Sequence, residues 1–137
     1  MKMREILFHG KRADNGEWVE GDLLQTRYHS GHIEYQIMPQ TPVSSAYPVL
    51  SETVGQYTGL TDKNGVRIFE GDICRFKRFN DIHVGEIVFN VTTASFVMRY
   101  QSIVGVYGEK ATHKMLLSAC DNIEIIGNIH DNPELLR

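Results

Sequence analysis

Histidine and cysteine are the side chains here that could most readily bind a metal. His29 and His32 have a spacing seen in some zinc sites, but Ser30-Gly31 between them indicates a turn. No cysteine or acidic cluster stands beside them to complete a coordination shell. The two cysteines, Cys74 and Cys120, are too few and too far apart for a four-cysteine site. We therefore expect no metal site and no cofactor.

Nucleophilic chemistry has one candidate, the thiol of Cys74. The neighbouring Arg75 could lower the pKa of this thiol, as an activated cysteine requires. No histidine lies close in sequence to act as its base, and a lone cysteine on a strand is usually a small core residue. We expect no catalytic cysteine, and the sequence leaves the reactivity of Cys74 open.

Two aspartates, Asp22 and Asp72, occupy equivalent places in a weak internal repeat. Asn15-Gly16 precedes Glu20-Gly21-Asp22-Leu23, and Asn64-Gly65 precedes Glu70-Gly71-Asp72-Ile73. Each copy is typical of a hairpin turn, a short strand, a second turn and a next strand. The alternative is an atypical enzyme site built from these two acids and a histidine. Because Gly-Asp is so common in turns, we expect scaffolding and no catalytic residues.

A run of cations and aromatics, Arg75, Phe76, Lys77 and Arg78, is the candidate nucleic-acid contact. Small β-barrels bind single strands by stacking bases on rings and pairing phosphates with arginine. The alternative is a partly buried strand whose cations are simply solvated. No second basic stretch stands out, so nucleic-acid binding is kept as the second hypothesis.

Composition limits the classes of protein that these residues could serve. The chain has 137 residues, 42% hydrophobic residues and a net charge of −3. This is the composition of a folded domain without a strong basic field. Two cysteines exclude a disulfide-dense secreted scaffold, and there is no signal peptide or long apolar run. We expect a soluble, intracellular protein without a membrane partner.

The elements that must position these residues are short strands. Apolar residues alternate or form short runs close to turn residues, a pattern typical of all-β folds. The predicted strands of the second half are Ile68–Phe69, Ile73–Phe79, Val84–Asn90, Ser95–Gln101 and Ile123–Ile129. The predicted core consists of Ile68, Ile73, Phe76, Ile87, Phe89, Phe96, Met98, Ile123, Ile125 and Ile129.

We predict one all-β chain with two lobes. An antiparallel sheet occupies residues 1–55, and a small open barrel occupies residues 56–131. The proline-rich stretch from Pro39 to Pro48 is a loop or an edge, and its role is open. A helical turn is expected at the end of the chain, with Asn132 as its cap and Pro133 in its first position.

The central stretch QYTGLTDKNGVRIFEGDI, residues 56–73, resembles the signature of the YopX family of phage and prophage proteins. The opening MREILF, residues 3–8, and the close IGNIHDNPELL, residues 126–136, are similar to the two ends of that family. His9 and Gly10 depart from its usual continuation. The resemblance implies an all-β fold with an SH3-like barrel in its C-terminal part and a bacterial host cytoplasm. It implies no established activity.

The leading hypothesis is a non-enzymatic accessory protein that binds another macromolecule, most simply a protein. It follows from the lack of catalytic signatures and from the family context. A single-strand nucleic-acid binder is the second hypothesis, and the atypical enzyme is the third. A homo-oligomer is compatible with the sequence, because edge strands pair readily.

Overall fold

The computed structural model describes residues 3–41 and 45–137. Every regular element in these ranges is a strand or a short 3-10 turn, so the prediction of an all-β chain is confirmed. The chain forms two compact units, Met1–Gly59 and Leu60–Arg137. The boundary predicted from the sequence lies near residue 55.

The first unit is an antiparallel sheet in the order β4-β3-β2-β1-β5. Its strands are β1 (Phe8–Lys11), β2 (Trp18–Arg27), β3 (Ile33–Met38), β4 (Tyr47–Pro48) and β5 (Gly55–Thr61), with a 3-10 turn at Ser51–Thr53. The sole tryptophan, Trp18, packs its ring against His9, with 4.5 Å between centroids. Residues 42–44 of the proline-rich stretch lie outside the described residues, and Tyr47–Pro48 forms the sheet edge.

The first copy of the repeat differs from its prediction. The Asn15-Gly16 turn is present, with Gly16 at φ +73°. Gly21, however, lies inside the continuous strand β2 rather than in a second turn. A Cβ at Gly21 would lie 2.0 Å from the Met38 carbonyl oxygen, so only glycine allows β3 this close. In the second copy Gly71 does sit in a turn, at φ +94°.

The second unit contains a five-stranded antiparallel sheet in the order β10-β9-β8-β7-β11. The strands of this unit are β6 (Arg67–Phe69), β7 (Asp72–Arg78), β8 (Asp81–Asn90), β9 (Ser95–Val104), β10 (Glu109–Leu116) and β11 (Asp121–Asn128). Two 3-10 turns lie at Leu117–Ala119 and Pro133–Leu136. Within the described residues, β10 and β11 are the two edges and do not pair, so this sheet is open. Strand β10 was absent from the sequence prediction.

The main buried cluster of the second unit lies on one face of this sheet, which we call the inner face. Ile73 is also buried but does not belong to this cluster, because strand alternation puts it on the face of Arg75. The buried cluster consists of Ile68, Cys74, Phe76, Ile87, Met98, Tyr100, Met115, Leu117 and Cys120. Burial of the predicted core residues Ile68, Ile73, Phe76, Ile87 and Met98 is confirmed. Phe96, Ile123 and Ile125 are only partly buried against the cluster, and Ile129 is half-buried.

One predicted core residue is wrong. Phe89 is 43% exposed, although Ile87, two residues before it on the same face, is fully buried. Phe89 lies near the end of β8, where its ring meets Phe96 of β9 edge-on at 5.3 Å. Strand alternation shows which face of the sheet a residue occupies. It does not show where along the strand the residues that bury this face end.

Gly85 lies where β8 and β9 leave no room for a side chain. A Cβ at this position would lie 2.8 Å from the Arg99 carbonyl oxygen and 2.9 Å from the Met98 sulfur. Gly85 is buried opposite Tyr100, so the space that a side chain would need is filled by the core.

The carboxylate of Asp62 joins the turn after β5 to strand β11. One oxygen accepts hydrogen bonds from the amides of Asn64 (2.9 Å) and Val66 (3.0 Å), which shape the Asn64-Gly65 turn. The other oxygen accepts from the Ile125 amide at 3.1 Å. Burial favours a higher pKa for Asp62, but these three donors and Lys63 outweigh it and lower the pKa below its ordinary value.

Replacing Asp62 with Asn removes an acceptor that β11 needs. The Asn side chain offers one oxygen and one NH₂ group, so the Ile125 amide loses its partner. We expect Asp62→Asn to lower the free energy of unfolding at pH 7 by about 1–3 kcal/mol in urea denaturation. The control is Asp14→Asn, because Asp14 is exposed and its bonds, to Arg12 and to neighbouring backbone amides, stay within one turn.

The pH dependence of stability provides a second measurement. Folding lowers the pKa of Asp62, so its charge stabilises the folded state above the ordinary pKa of about 3.9. This stability is lost as the pH falls through that value towards the lower folded-state pKa. Asp62→Asn should therefore flatten the acid limb of the stability curve. An unchanged acid limb would contradict the role given to this carboxylate.

Candidate functional site

The outer face of the five-stranded sheet presents charged and apolar side chains together. Strand β7 turns Cys74 and Phe76 inward and leaves Arg75 and Lys77 exposed on the other side. The pairing registers extend that exposed side across the sheet. We define the outer face by Arg75, Lys77, Ile82, Val84, Glu86, Arg99, Gln101, Ile103, Lys110, Thr112 and Lys114.

Two exposed isoleucines lie on the middle strands of this face, near its hairpin-tip end. Ile82 is 62% exposed and Ile103 is 71% exposed, and both line one cleft. Lys77 pairs with Ile82 and Lys110 pairs with Ile103, so a lysine flanks the isoleucines on each side. The result is an apolar centre between two cations.

The cleft has a volume of about 620 Å³ and is bounded by the turn Pro133–Leu136. Leu135 and Leu136 line it together with the isoleucines. The sequence expectation of a helical turn here is confirmed, but the cap is not. The Asn132 side chain accepts from the Asn128 amide behind it, at 3.2 Å, and makes no bond to the turn that follows.

Ion pairs neutralise some of the cations on this face and leave others available. Arg99 contacts Glu86 at 2.6 Å, and Arg75 lies 3.5 Å from Glu124 of β11. Glu124 also pairs with Lys63, whose hydrogen bond is the main reason why its pKa is lowered. Among the described residues, Lys77, Lys110 and Lys114 form no ion pair, although Asp121 lies opposite Lys77 in the register. The β10 side of the face is therefore positively charged.

The hairpin tips next to this face expose further apolar side chains. Phe79 is 84% exposed at the β7–β8 tip and adopts φ +55°. Val106 and Tyr107 are each 90% exposed at the β9–β10 tip. Both tips lie at the same end of the antiparallel sheet. The exposed apolar surface therefore continues from the cleft to this end.

The four predicted nucleic-acid contacts do not lie on one surface, and the prediction needs correction. Phe76 is 1% exposed and packs edge-on against Tyr100, so it has no free ring face for a base. Arg78 lies on the inner face and donates to the Tyr100 hydroxyl at 3.0 Å. Arg75 and Lys77 remain on the outer face. Successive strand residues alternate between faces, and the compact sequence run is therefore split in two.

The inner face carries a polar cluster of its own, centred on Tyr100. Its ring lies between His83 and His113, at centroid distances of 4.8 and 5.0 Å. The Ser102 hydroxyl lies 2.6 Å from Nε2 of His113, a distance that suits a nucleophile and its base. Among the described residues no carboxylate orients His113, so the arrangement that a hydrolase needs is not complete. Neither histidine was singled out from the sequence, because they meet Tyr100 only through the strand register.

The remaining candidate residues occupy structural positions. His29 and His32 are exposed at the β2–β3 turn, and no group of three potential metal ligands occurs among the described residues. Asp22 is exposed and accepts from the Gln40 amide group at 2.7 Å. Asp72 is buried and accepts from the Phe69 amide at 2.8 Å, closing the turn at Gly71. Neither aspartate lines the cleft.

A family model described as YopX protein matches residues 7–137. The chain belongs to the YopX family. This confirms the resemblance that residues 56–73 indicated. A solved structure, the crystal structure of protein EF1440 from Enterococcus faecalis, is similar to this YopX chain with a TM-score of 0.55 and 25% sequence identity. The likeness covers 98% of this chain and 100% of the other. A comparison with curated proteins found no match.

The structure also decides two smaller questions about this YopX-family chain. No helix within residues 3–41 and 45–137 has both the length and the apolar character that crossing a membrane requires. Cys74 is buried, and burial raises the pKa of its thiol far above the ordinary value, with Asp72 and Asp62 adding to the effect. Arg75 lies on the opposite face of β7 and does not contribute to lowering this pKa.

Both thiols should be inert in the folded protein. Burial raises the pKa of Cys120 to about 11, and its sulfur donates to the Leu116 carbonyl. We expect neither cysteine to react measurably with a thiol-specific disulfide reagent within minutes at pH 8, and both to react at once in denaturant. Fast labelling of the native Cys74→Ser variant would show that Cys120 is accessible, and fast labelling of Cys120→Ser would show that Cys74 is.

Proposed function

We propose that this chain is a non-enzymatic binding module whose partner is another protein, and that the outer face of the second unit is its binding surface. The observation that carries the proposal is the pair of exposed isoleucines, Ile82 and Ile103, between Lys77 and Lys110. Apolar side chains exposed together, with a polar rim, are typical of protein interaction sites.

The cleft gives this surface a shape that a partner can fill. Two apolar pairs, Ile82 with Ile103 and Leu135 with Leu136, line the cleft. A side chain inserted between them loses contact with water on both sides, as the anchor residue of an interface does. The lysines at the rim would contribute mainly to the association rate and to the choice of partner.

The chemistry of the described residues supports a binding role rather than a catalytic one. The Ser102–His113 pair lacks an acid, and the two aspartates of the repeat are engaged by their own surroundings. The family resemblance supports a phage or prophage origin, action in the cytoplasm of a bacterial host and an SH3-like arrangement of the second unit.

Site-specific photo-crosslinking tests the proposed surface. A photoreactive phenylalanine analogue at Ile103 should give a discrete crosslinked protein in prophage-bearing cells, because this side chain would lie in the interface. The matched control is the same analogue at Val91, which is 82% exposed in the β8–β9 turn. Equal crosslinking at both positions, or none at Ile103, would contradict the proposal.

Single-stranded nucleic acid is a second candidate ligand, and the same face favours it. Lys77, Lys110 and Lys114 are unpaired among the described residues, and the rings of Phe79 and Tyr107 are exposed nearby. Cations beside free rings are the features used by single-strand binders. The surface differs from the sequence prediction, because Phe76 and Arg78 do not belong to it.

Filter binding to an oligothymidylate separates this candidate from protein binding. If the face binds phosphates, replacing Lys110 and Lys114 with Ala should weaken binding and reduce the salt dependence by about one unit per lost contact. Arg67→Ala, an exposed cation of β6, is the control. The absence of binding at about 50 mM salt, where such contacts are strong, would dispose of this candidate.

A further inference from the structure

The two edges of the five-stranded sheet are treated differently by the fold. The outer edge of β11 is already occupied, because its Ile125 amide bonds to Asp62 and its Ile123 carbonyl accepts from the Lys63 amide at 2.8 Å. The turn that carries Asp62 thus covers this edge. β10 forms the opposite edge, and within the described part of the chain no strand pairs with its outer side.

Strand β10 has the properties of a good template. It is eight residues long, and its register with β9 runs without a bulge from Glu109 opposite Val104 to Leu116 opposite Val97. It contains no proline. Bulges, prolines and short length, three common ways of blocking an edge, are not used here. Edge lysines are another such device, and Lys110 and Lys114 would repel a basic strand while leaving the edge open to an acidic one.

The charges along this edge define what could pair with it. Lys110 and Lys114 point to the outer face with Thr112 between them, and neither lysine forms an ion pair with a carboxylate of residues 3–41 or 45–137. Lys114 lies opposite Arg99, whose own charge is taken up by Glu86. On the inner side the edge presents Ala111, His113 and Met115, which are half-buried or buried.

We propose that β10 receives an extended acidic segment of the partner protein as an added strand. This deepens the proposed function, on which it rests, by naming the mode of binding and the chemistry of the partner. The added strand would place acidic side chains opposite Lys110 and Lys114, four residues apart. Small or apolar side chains would alternate with them and face Ala111 and Met115.

Charge argues against a second copy of this chain in the register that overlaps the two β10 edges most evenly around Thr112. In the symmetric antiparallel register centred on Thr112, Lys110 of each copy faces Lys114 of the other. Like charges directly opposite each other destabilise strand pairing. An acidic strand instead gains two ion pairs together with the backbone hydrogen bonds.

Short peptides provide the probe. The test peptide has eight residues that alternate glutamate and valine, and the control peptide alternates lysine and valine. By titration calorimetry at low salt, the full chain should bind the glutamate peptide about tenfold more tightly. Equal affinities, or no binding at about 1 mM peptide, would overturn the proposal.

Methylation of the peptide backbone tests strand pairing itself. Alternate amides of a strand point to the same edge, so methylating one alternate set should abolish binding and methylating the other should preserve it. Equal binding by both methylated peptides would mean that the backbone is not involved. Tighter binding of an oligothymidylate, or a β10-dependent dimer in sedimentation, would also overturn the proposal.

Charge reversal locates the site. Lys110→Glu and Lys114→Glu should each weaken the glutamate peptide severalfold and strengthen the lysine peptide, whereas Lys77→Glu, on β7, should have a smaller effect. These lysines are exposed, so the variants should fold. If the peptides fail while Ile103 still crosslinks a protein, the outer face binds a partner without strand addition, and the proposed function survives.

Discussion

Three backbone amides converge on the carboxylate of Asp62, and much of the second unit depends on this contact. Two of the donors shape a turn and the third belongs to β11, which is distant in the sequence. A buried carboxylate held in this way fastens a local turn to a remote strand. The contact also decides which edge of the sheet is covered from within. β11 is closed by the chain itself, and β10 is left as the open edge.

The second constraint is the division of the sheet into two faces. The inner face carries the core and, at one end, the polar group around Tyr100, while the outer face collects lysines, arginines and isoleucines. The second half of the chain has as many acidic as basic residues, so composition gives no sign of a basic surface. The register brings Lys114 opposite Arg99 and Lys110 opposite Ile103, although the sequence separates these residues. The charge of a local surface therefore depends on which strands pair and in which register, whereas the net charge of the chain depends on composition alone.

Alternation and turn chemistry were enough to identify most strands of the second unit and to place Ile68, Phe76, Ile87 and Met98 in its core. They did not reveal β10, because its inward positions are Ala111, His113 and Met115, a weak apolar signal on an edge strand. They placed Phe89 in the core, since the sequence does not show where the cover ends. They also placed Gly21 in a turn instead of inside β2, because nothing in the neighbouring sequence shows that the strand carrying Met38 passes close to it.

The candidate surface was the least predictable feature, since it depends on which residues face each other across strands.

The position of Trp18 has a practical consequence of a different kind. The sole tryptophan lies in the first unit, against His9, and the second unit has none. Indole emission therefore reports the first unit alone, whereas far-ultraviolet circular dichroism reports the strands of both units. A difference between the two melting curves would show that the units unfold separately.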